Sequence, residues 1–132
     1  MNNKDVKEWI EIADSDFDSA KILNAAVRKH NEIICYHCTQ AVEKYLKGFL
    51  IYYDIIPQKT HDLLLLTNLC IEKNNEFGSI IPLCIFLNNF VNDIRYPHKY
   101  EITKDDVDFA IKAVEKIRNI KPITELINNI NN

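Results

Sequence analysis

Apolar residues recur at steps of three and four along most of the chain, which is the spacing that places them on one face of an α-helix. In residues 4–28 this face comprises Val6, Trp9, Ile10, Ala13, Phe17, Ala20, Leu23 and Val27. In residues 32–53 a wider face comprises Ile34, Cys38, Ala41, Val42, Tyr45, Leu46, Phe49 and Tyr52. Two long amphipathic helices are therefore predicted, with Asn31 as the N-cap of the second. Gly48 costs the second helix about 1 kcal/mol relative to alanine, so it indicates a close approach by another helix or a ligand.

A third, densely apolar helix is predicted at residues 61–73. Thr60 and Asp62 are both suitable N-caps, because a short polar side chain can accept a hydrogen bond from the first backbone N–H groups. The apolar residues lie so close together that this helix should be largely buried. The polar residues 74–79 then form a predicted loop.

Two further helices complete the pattern. Ser79 is the predicted cap of a helix at residues 80–94, whose first turn tolerates Pro82 because the first helical N–H groups lack a partner. Thr103 is the predicted cap of the last helix, which Pro122 should kink or restart. The connections are short, so neighbouring helices should run antiparallel. The pattern thus predicts an all-α fold, an antiparallel bundle of four to five helices.

The composition agrees with one helical domain spanning residues 1–132. Apolar residues make up 47% of the 132 residues, which is enough for a hydrophobic core. Only two glycines and four prolines are present, few for a fold of strands and tight turns. The formal net charge of -3 argues against coating nucleic acid through bulk charge but leaves a local basic stripe open.

No secretory signal or membrane span is visible in the sequence. The amino terminus is polar, and no apolar run approaches the ~20 residues of a membrane helix. A cytoplasmic protein is therefore expected, with reduced thiols at Cys35, Cys38, Cys70 and Cys84. Cys35 and Cys38 lie within a helical pattern, and no second cysteine pair follows at the spacing of metal ligands, so no metal site and no cofactor are predicted.

One face of the second helix carries groups that bind anions. At about 100° per residue, His37 and Lys44 point the same way, with Gln40 and Lys47 beside them. An imidazole, an amide and two ammonium groups suit a phosphate or nucleotide, although lysine and glutamine also belong on any solvated helix face. Glu43 lies four residues before Lys47, in the order that favours a surface ion pair.

A second cluster lies at the break after the fourth predicted helix. Arg95, Tyr96, Pro97 and His98 follow one another there, and proline cannot continue the helix. Arginine at a helix C-terminus can simply serve the helix dipole. The same rigid turn can also hold a phosphodiester and supply a general acid or base. His61, beside the predicted cap of the third helix, is a third candidate group.

Four motifs follow one another along nearly the whole chain: Ala13-x-x-Asp16-Phe17-x-x-Ala20, His37-x-x-Gln40-Ala41-x-Glu43-Lys44-x-Leu46-Lys47, His61-Asp62-Leu63 and Arg95-Tyr96-Pro97. In this order and spacing they resemble the HEPN domain, the higher eukaryotes and prokaryotes nucleotide-binding domain, in its Arg-Tyr-Pro variety. The resemblance implies an α-helical bundle that forms a homodimer. It also implies a nucleotide or RNA ligand, for which the candidate binding residues are His37, Gln40, Lys44, Lys47, His61, Arg95 and Tyr96.

The resemblance also implies a partner and an activity. A small HEPN protein is often encoded beside a minimal nucleotidyltransferase, and many such pairs behave as toxin and antitoxin. Active HEPN toxins are metal-independent ribonucleases, in which an arginine is followed, after about four to six residues, by a histidine. By this resemblance Arg95 is the family's arginine. Only two residues separate it from His98, and Tyr100 occupies the place that the four-residue spacing gives to histidine.

Three functions are therefore compatible with the sequence. The first is a metal-independent ribonuclease toxin, with Arg95, His98 and Tyr100 as candidate catalytic residues. The second is a non-catalytic binding subunit that docks a nucleotidyltransferase. The departure from the arginine–histidine spacing favours binding over cleavage. The third function is a structural helical dimer without a ligand, because a fold does not fix a function.

Overall fold

Two long helices, α1 (Asn3–Asn24) and α2 (Asn31–Tyr52), form the most extensive helix–helix contact of the fold. They belong to the computed structural model of the chain, which describes residues 3–91 and 101–132. Both bounds of α2 lie close to the predicted ones, whereas α1 ends earlier than predicted. Val27, which its spacing placed on the apolar face, is instead fully exposed beyond the end of α1, where burial no longer stabilises the helix.

The contacts between α1 and α2 join the start of α1 to the end of α2. Gly48 of α2 lies against Trp9 and Ile10 near the start of α1, whereas His37 lies against Asp16 further along it. The predicted antiparallel pairing is confirmed here. A Cβ atom at Gly48 would lie 3.2 Å from Ile10 Cδ1 and 3.4 Å from Trp9 Cβ, so the glycine permits the close approach of a helix.

Four shorter α-helices complete the described part of the chain: α3 (Leu63–Ile71), α4 (Ile81–Leu87), α5 (Lys104–Arg118) and α6 (Lys121–Ile130). The all-α fold is confirmed. The described residues hold six α-helices rather than four to five, because Pro122 lies in the first turn of a separate α6 and so restarts the last predicted helix. The segment predicted as a loop before α4 forms a 3₁₀ helix, Asn75–Ile80, and a second 3₁₀ turn, Asn88–Phe90, follows α4.

Two of the predicted N-caps are confirmed. Asp62 accepts hydrogen bonds from the backbone N–H groups of Leu64 and Leu65, at 3.0 and 3.2 Å, and α3 begins at the next residue. Thr103 and Asp106 form a capping box at the start of α5, in which each side chain accepts from the other's backbone N–H. These bonds satisfy donors that a helix leaves unpaired at its N-terminus.

The other two predicted N-caps are wrong. The N-cap of α2 is His30, and Asn31 is the first helical residue, whose Nδ2 donates to the carbonyl of Ile102 at 3.1 Å. Ser79 lies within the 3₁₀ helix, and its Oγ donates to the carbonyl of Glu76 at 2.9 Å. In both cases the residue lies within a helix rather than at the position just before it.

Buried side chains from all six helices form one hydrophobic cluster. α2 lies at its centre, since it contacts each of the other five helices. The largest fully buried side chains include Tyr45, Phe49, Phe77 and Phe90, and the rings of Phe49 and Phe77 lie 4.5 Å apart. Among the described residues, no helix is both long and apolar enough to cross a membrane.

Candidate functional site

The predicted cluster at the end of the fourth helix lies outside the described residues, with its members Arg95, Tyr96, Pro97, His98 and Tyr100. The catalytic and binding roles of these residues therefore stay predictions. The remaining predicted binding residues lie on α2 and just before α3. They do not form one strip but two separate polar clusters.

The first cluster is centred on Asp16 of α1, opposite the polar face of α2. His37 Nδ1 lies 3.3 Å from Asp16 Oδ1, and Lys44 Nζ lies 3.0 Å from Asp16 Oδ2. The Lys44 contact is an ion pair whose angles are not those of a hydrogen bond, and Lys44 donates its hydrogen bond to Gln40 Oε1 at 3.0 Å. The positive charge of Lys44 is thus compensated inside the fold, and the three α2 side chains help to join α2 to α1.

The second cluster is a buried carboxylate shared by two basic side chains. Lys47 Nζ donates to Glu43 Oε2 at 3.0 Å, and His61 Nδ1 lies 2.7 Å from Glu43 Oε1. Only 6% of the Glu43 side chain and 10% of the Lys47 side chain are exposed. The ion pair predicted on the surface is therefore present but buried. Lys47 Nζ lies 6.0 Å from the ring centroid of Trp9, so α1 covers this part of α2.

His61 connects this buried pair to solvent. Its side chain is 64% exposed, although Nδ1 is engaged by Glu43. An ionised Glu43 carboxylate can only accept hydrogen bonds, so in this contact His61 Nδ1 carries the hydrogen and donates a hydrogen bond to Glu43. In the neutral ring the lone pair then lies on Nε2, at the edge away from Glu43. His61 is therefore an oriented imidazole whose second nitrogen is accessible to a ligand.

A cavity of about 460 Å³ adjoins His61. It is lined by Lys59, Thr60, His61, Asp62, Asn88 and Val91. The carboxylate of Asp62 is committed to the fold, because it caps α3 and its Oδ1 also accepts from Asn88 Nδ2 at 2.9 Å. Lys59 and His61 are the basic side chains of this lining, and together they can contact an anionic group.

A third polar cluster, not predicted from the sequence, joins α1, α2 and α5. Asp14 accepts hydrogen bonds from the Tyr45 hydroxyl and from Arg118, whose Nε lies 2.8 Å from Oδ1 and whose Nη2 lies 3.2 Å from Oδ2. Burial alone would raise the pKa of Asp14, but the hydrogen bonds from Arg118 and Tyr45 hold this pKa below its ordinary value of 3.8. The hydrogen bond to Asp14 raises the pKa of Arg118, and burial raises that of Tyr45.

Replacing Arg118 by glutamine is expected to destabilise the protein in a pH-dependent way. A carboxylate whose folded-state pKa is depressed adds stability above its unfolded-state pKa, and this contribution is lost as the pH falls through the lower folded-state value. The variant should therefore be less stable than wild type by about 1 kcal/mol at neutral pH, since partly exposed ion pairs contribute little. Urea unfolding near pH 7 and near pH 3 should show the difference shrinking in acid.

The matched control is Lys73→Gln, which removes one exposed positive charge just beyond the end of α3. Its stability should follow that of wild type at both pH values. If Arg118→Gln lowered the stability equally in neutral and acid solution, the role assigned to the Asp14 carboxylate would be wrong.

All four cysteines are free and buried. Burial raises the pKa of Cys35 to about 12 and that of Cys84 to about 11, and it also raises the pKa of Cys38 and of Cys70. The thiols are therefore protonated at neutral pH and poor nucleophiles. In residues 3–91 and 101–132, no three or more His, Cys, Asp or Glu side chains are grouped so that they could hold a metal ion.

A family model of the HEPN domain matches residues 6–125. The chain belongs to the HEPN domain family. The crystal structure of an archaeal HEPN homologue is similar to this HEPN chain, with a TM-score of 0.70 and 23% identity, over 95% of this chain and 97% of the homologue. At this identity the likeness establishes the fold alone. No curated protein matches the chain.

The three motifs of this HEPN domain that lie in described residues each contribute to one of the polar clusters. The first motif supplies Asp16, the second supplies Glu43 and the third supplies His61. Neither Asp16 nor Glu43 was predicted as a site residue, because each reads as an ordinary surface carboxylate on its own helix. The available signal was that Asp16 belongs to the first motif, and that Glu43 belongs to the second together with Lys47, with which it pairs.

Proposed function

We propose that this HEPN protein binds a nucleotide or RNA as a cytoplasmic homodimer built from one domain, residues 1–132. We further propose that it belongs to the Arg-Tyr-Pro variety and is the partner of a minimal nucleotidyltransferase in a two-component system of the toxin–antitoxin type. Family membership supports the ligand class. One observation carries the location of the site: the exposed imidazole of His61, fixed by the buried Glu43, adjoins a cavity that Lys59 also lines.

The chemistry of this cavity suits a phosphate. Lys59 supplies a positive charge, and His61 supplies a ring nitrogen that can accept or, when protonated, donate a hydrogen bond. We also propose Arg95 and Tyr96 as binding residues, because the family resemblance gives them that role and a guanidinium can hold a phosphate through two hydrogen bonds.

The polar face of α2 has a different role in this proposal. His37, Gln40 and Lys44 stabilise the packing of α1 on α2 through Asp16, and they form a wall of the domain rather than the first contact with the ligand. Lys47 acts through Glu43, which it neutralises, and so keeps His61 in position. Because the arginine–histidine spacing departs from that of the active ribonucleases, we favour ligand binding over RNA cleavage as the function.

Calorimetric titration with ATP, GTP and a short single-stranded RNA, in buffer containing EDTA, tests this proposal. We expect wild type to bind at least one ligand, and His61→Asn and Lys59→Ala to bind it about tenfold more weakly, the loss of one polar contact worth about 1.4 kcal/mol. Asparagine at position 61 can still donate to Glu43 but lacks the second ring nitrogen, so it tests the ligand side of the ring. Lys73→Ala removes an exposed lysine beyond the opposite end of α3 from His61 and should bind like wild type.

Each outcome of the titration has a definite meaning. If wild type bound none of the three ligands, the protein would be a structural helical dimer and the proposal would fail. If both variants bound as tightly as wild type, the site would not be this cavity. If wild type cleaved the RNA in the presence of EDTA and Arg95→Ala left it intact, the protein would also be a metal-independent ribonuclease.

A further inference from the structure

The cavity beside His61 is lined by an acid as well as by bases. Asp62 lines it together with Lys59 and His61. A carboxylate repels a phosphate, because the two groups carry charges of the same sign, so Asp62 adds nothing to the binding of a phosphate alone. Its place in the lining points instead to a ligand that brings a hydrogen-bond donor alongside its phosphate.

The fold uses one of the two carboxylate oxygens of Asp62. Oδ1 accepts from the backbone N–H groups of Leu64 and Leu65, at 3.0 and 3.2 Å, and from Asn88 Nδ2 at 2.9 Å. Among the residues that the structure describes, none donates a hydrogen bond to Oδ2. Oδ2 is therefore the oxygen that a ligand can contact without disturbing the cap of α3.

Asp62 is also held in a fixed orientation. Its backbone N–H donates to Thr60 Oγ1 at 3.1 Å. Asn88, which binds its Oδ1, is itself fixed, because the Oδ1 atom of Asn88 accepts from the backbone N–H of Leu63 at 2.9 Å. The free oxygen of Asp62 is thus pre-organised, and a ligand that contacts it loses little binding free energy to ordering the protein.

The lining suits the sugar and phosphate of a nucleotide better than its base. Of the described residues that line the cavity, only His61 carries a ring, and Val91 is the one aliphatic side chain. These residues therefore provide little surface on which a base can stack. Two adjacent donors, such as those of guanine, would take both oxygens of a carboxylate, and Oδ1 of Asp62 already accepts three hydrogen bonds. A single hydroxyl group needs Oδ2 alone.

We propose that Asp62 Oδ2 accepts a hydrogen bond from the 2′-hydroxyl of a ribose whose phosphate is held by Lys59 and His61. This role rests on the function proposed above and adds a sugar specificity to it. The 2′-hydroxyl is the group by which a protein distinguishes RNA from DNA, and an acidic side chain can accept its hydrogen. The cavity therefore selects ribonucleotides over deoxyribonucleotides, whatever their base.

Calorimetric titration with three short single strands of one base sequence tests this specificity: RNA, 2′-fluoro RNA and DNA. The 2′-fluoro strand keeps the sugar conformation of RNA but lacks the hydroxyl donor, so it separates the hydrogen bond from the shape of the backbone. Wild type should bind RNA about tenfold more tightly than either of the other strands, because one hydrogen bond to a charged group is lost with the hydroxyl. An RNA of another base sequence should bind with similar affinity.

Asp62→Ser assigns the specificity to its residue. Serine caps a helix about as well as aspartate, so α3 keeps its N-cap, but serine has no second oxygen. Removal of a negative charge changes the affinity for all three strands together, so the readout is the ratio of the RNA affinity to the 2′-fluoro RNA affinity. This ratio should fall from about ten to about one. Asp105→Ser, which removes an exposed acid in the first turn of α5, should keep the ratio of wild type.

The outcomes distinguish this specificity from the proposed function. If wild type bound RNA and 2′-fluoro RNA equally, or if Asp62→Ser kept the ratio of wild type, the role of Asp62 would be wrong and the phosphate site would stand. If wild type bound none of the strands, the proposed function would fail and the specificity with it. Should Asp62→Ser lose its helical circular dichroism, Asp62→Asn takes its place, since it keeps the capping oxygen and replaces Oδ2 by an amide nitrogen that cannot accept.

Discussion

Replacing Lys47 by methionine should lower the free energy of unfolding by about 3 kcal/mol. Methionine occupies most of the space of the lysine chain, so little packing is lost. The carboxylate of Glu43, however, stays buried without its ammonium partner, which is the costly way to break a buried ion pair. Urea unfolding followed by circular dichroism measures the effect.

The double variant Glu43→Gln/Lys47→Met is the control for charge. Glutamine at position 43 can still accept the hydrogen bond from His61, and no unpaired charge is left inside the protein. It should therefore recover most of the lost stability. A single variant as stable as wild type would show that the pair is solvated, and a double variant as unstable as the single one would assign the loss to packing.

Replacing Phe49 by alanine should cost about 4 kcal/mol, a large share of the stability of a domain of this size. Phe49 is 2% exposed, and its ring lies 4.5 Å from Phe77 and 4.9 Å from Tyr53, so its removal opens a cavity between α2 and the 3₁₀ helix before α4. Urea unfolding and the thermal midpoint should both report the loss.

Ile56→Ala is the matched control for the core prediction. Ile56 is 91% exposed, and its truncation should change the free energy of unfolding by no more than about 0.5 kcal/mol. Equal losses in the two variants would mean that Phe49 does not pack in the core.

Much of the fold could be predicted because the buried residues of an amphipathic helix recur with the period of the helix. The long faces of α1 and α2 repeat many times, so single exceptions such as Val27 hardly disturb them. Gly48 was informative for a similar reason, since glycine inside a helix is costly and needs a compensating contact. Thr103 was identified as a cap from its residue type and position alone, and Asp62 was one of two candidates, with Thr60.

The polar clusters were harder to predict, because a periodic pattern assigns a charged residue to solvent by its type. Glu43 and Lys47 are buried by tertiary contacts, with Trp9 of α1 near Lys47 and His61 against Glu43. Arg118 donates a hydrogen bond to Asp14, which lies 104 residues away in the sequence, so no local sequence pattern predicts this contact. Asn31 and Ser79 were wrong as caps because the helices that contain them begin earlier than the sequence pattern indicates.

The candidate site shows the same division. His61 was singled out by its residue type and its place before α3, and the sequence sufficed for that. Its orientation depends on Glu43, which lies 18 residues earlier, and its link to the core depends on Lys47. A histidine that is exposed at one edge and anchored at the other is a property of the packed helices, not of a motif.

Asp62 has a consequence for ligand choice. The carboxylate of Asp62 already occupies the N-terminal, positive end of the α3 dipole, and it also accepts a hydrogen bond from Asn88. An incoming phosphate gains nothing from the backbone amides there unless it displaces Asp62. In the proposed site, the contacts of this cavity with a phosphate then come from the exposed side chain of Lys59 and from the ring of His61, which Glu43 holds in place. A site of this kind can change its ligand preference by substitution of one or two surface residues, while the helix beneath it keeps its own cap.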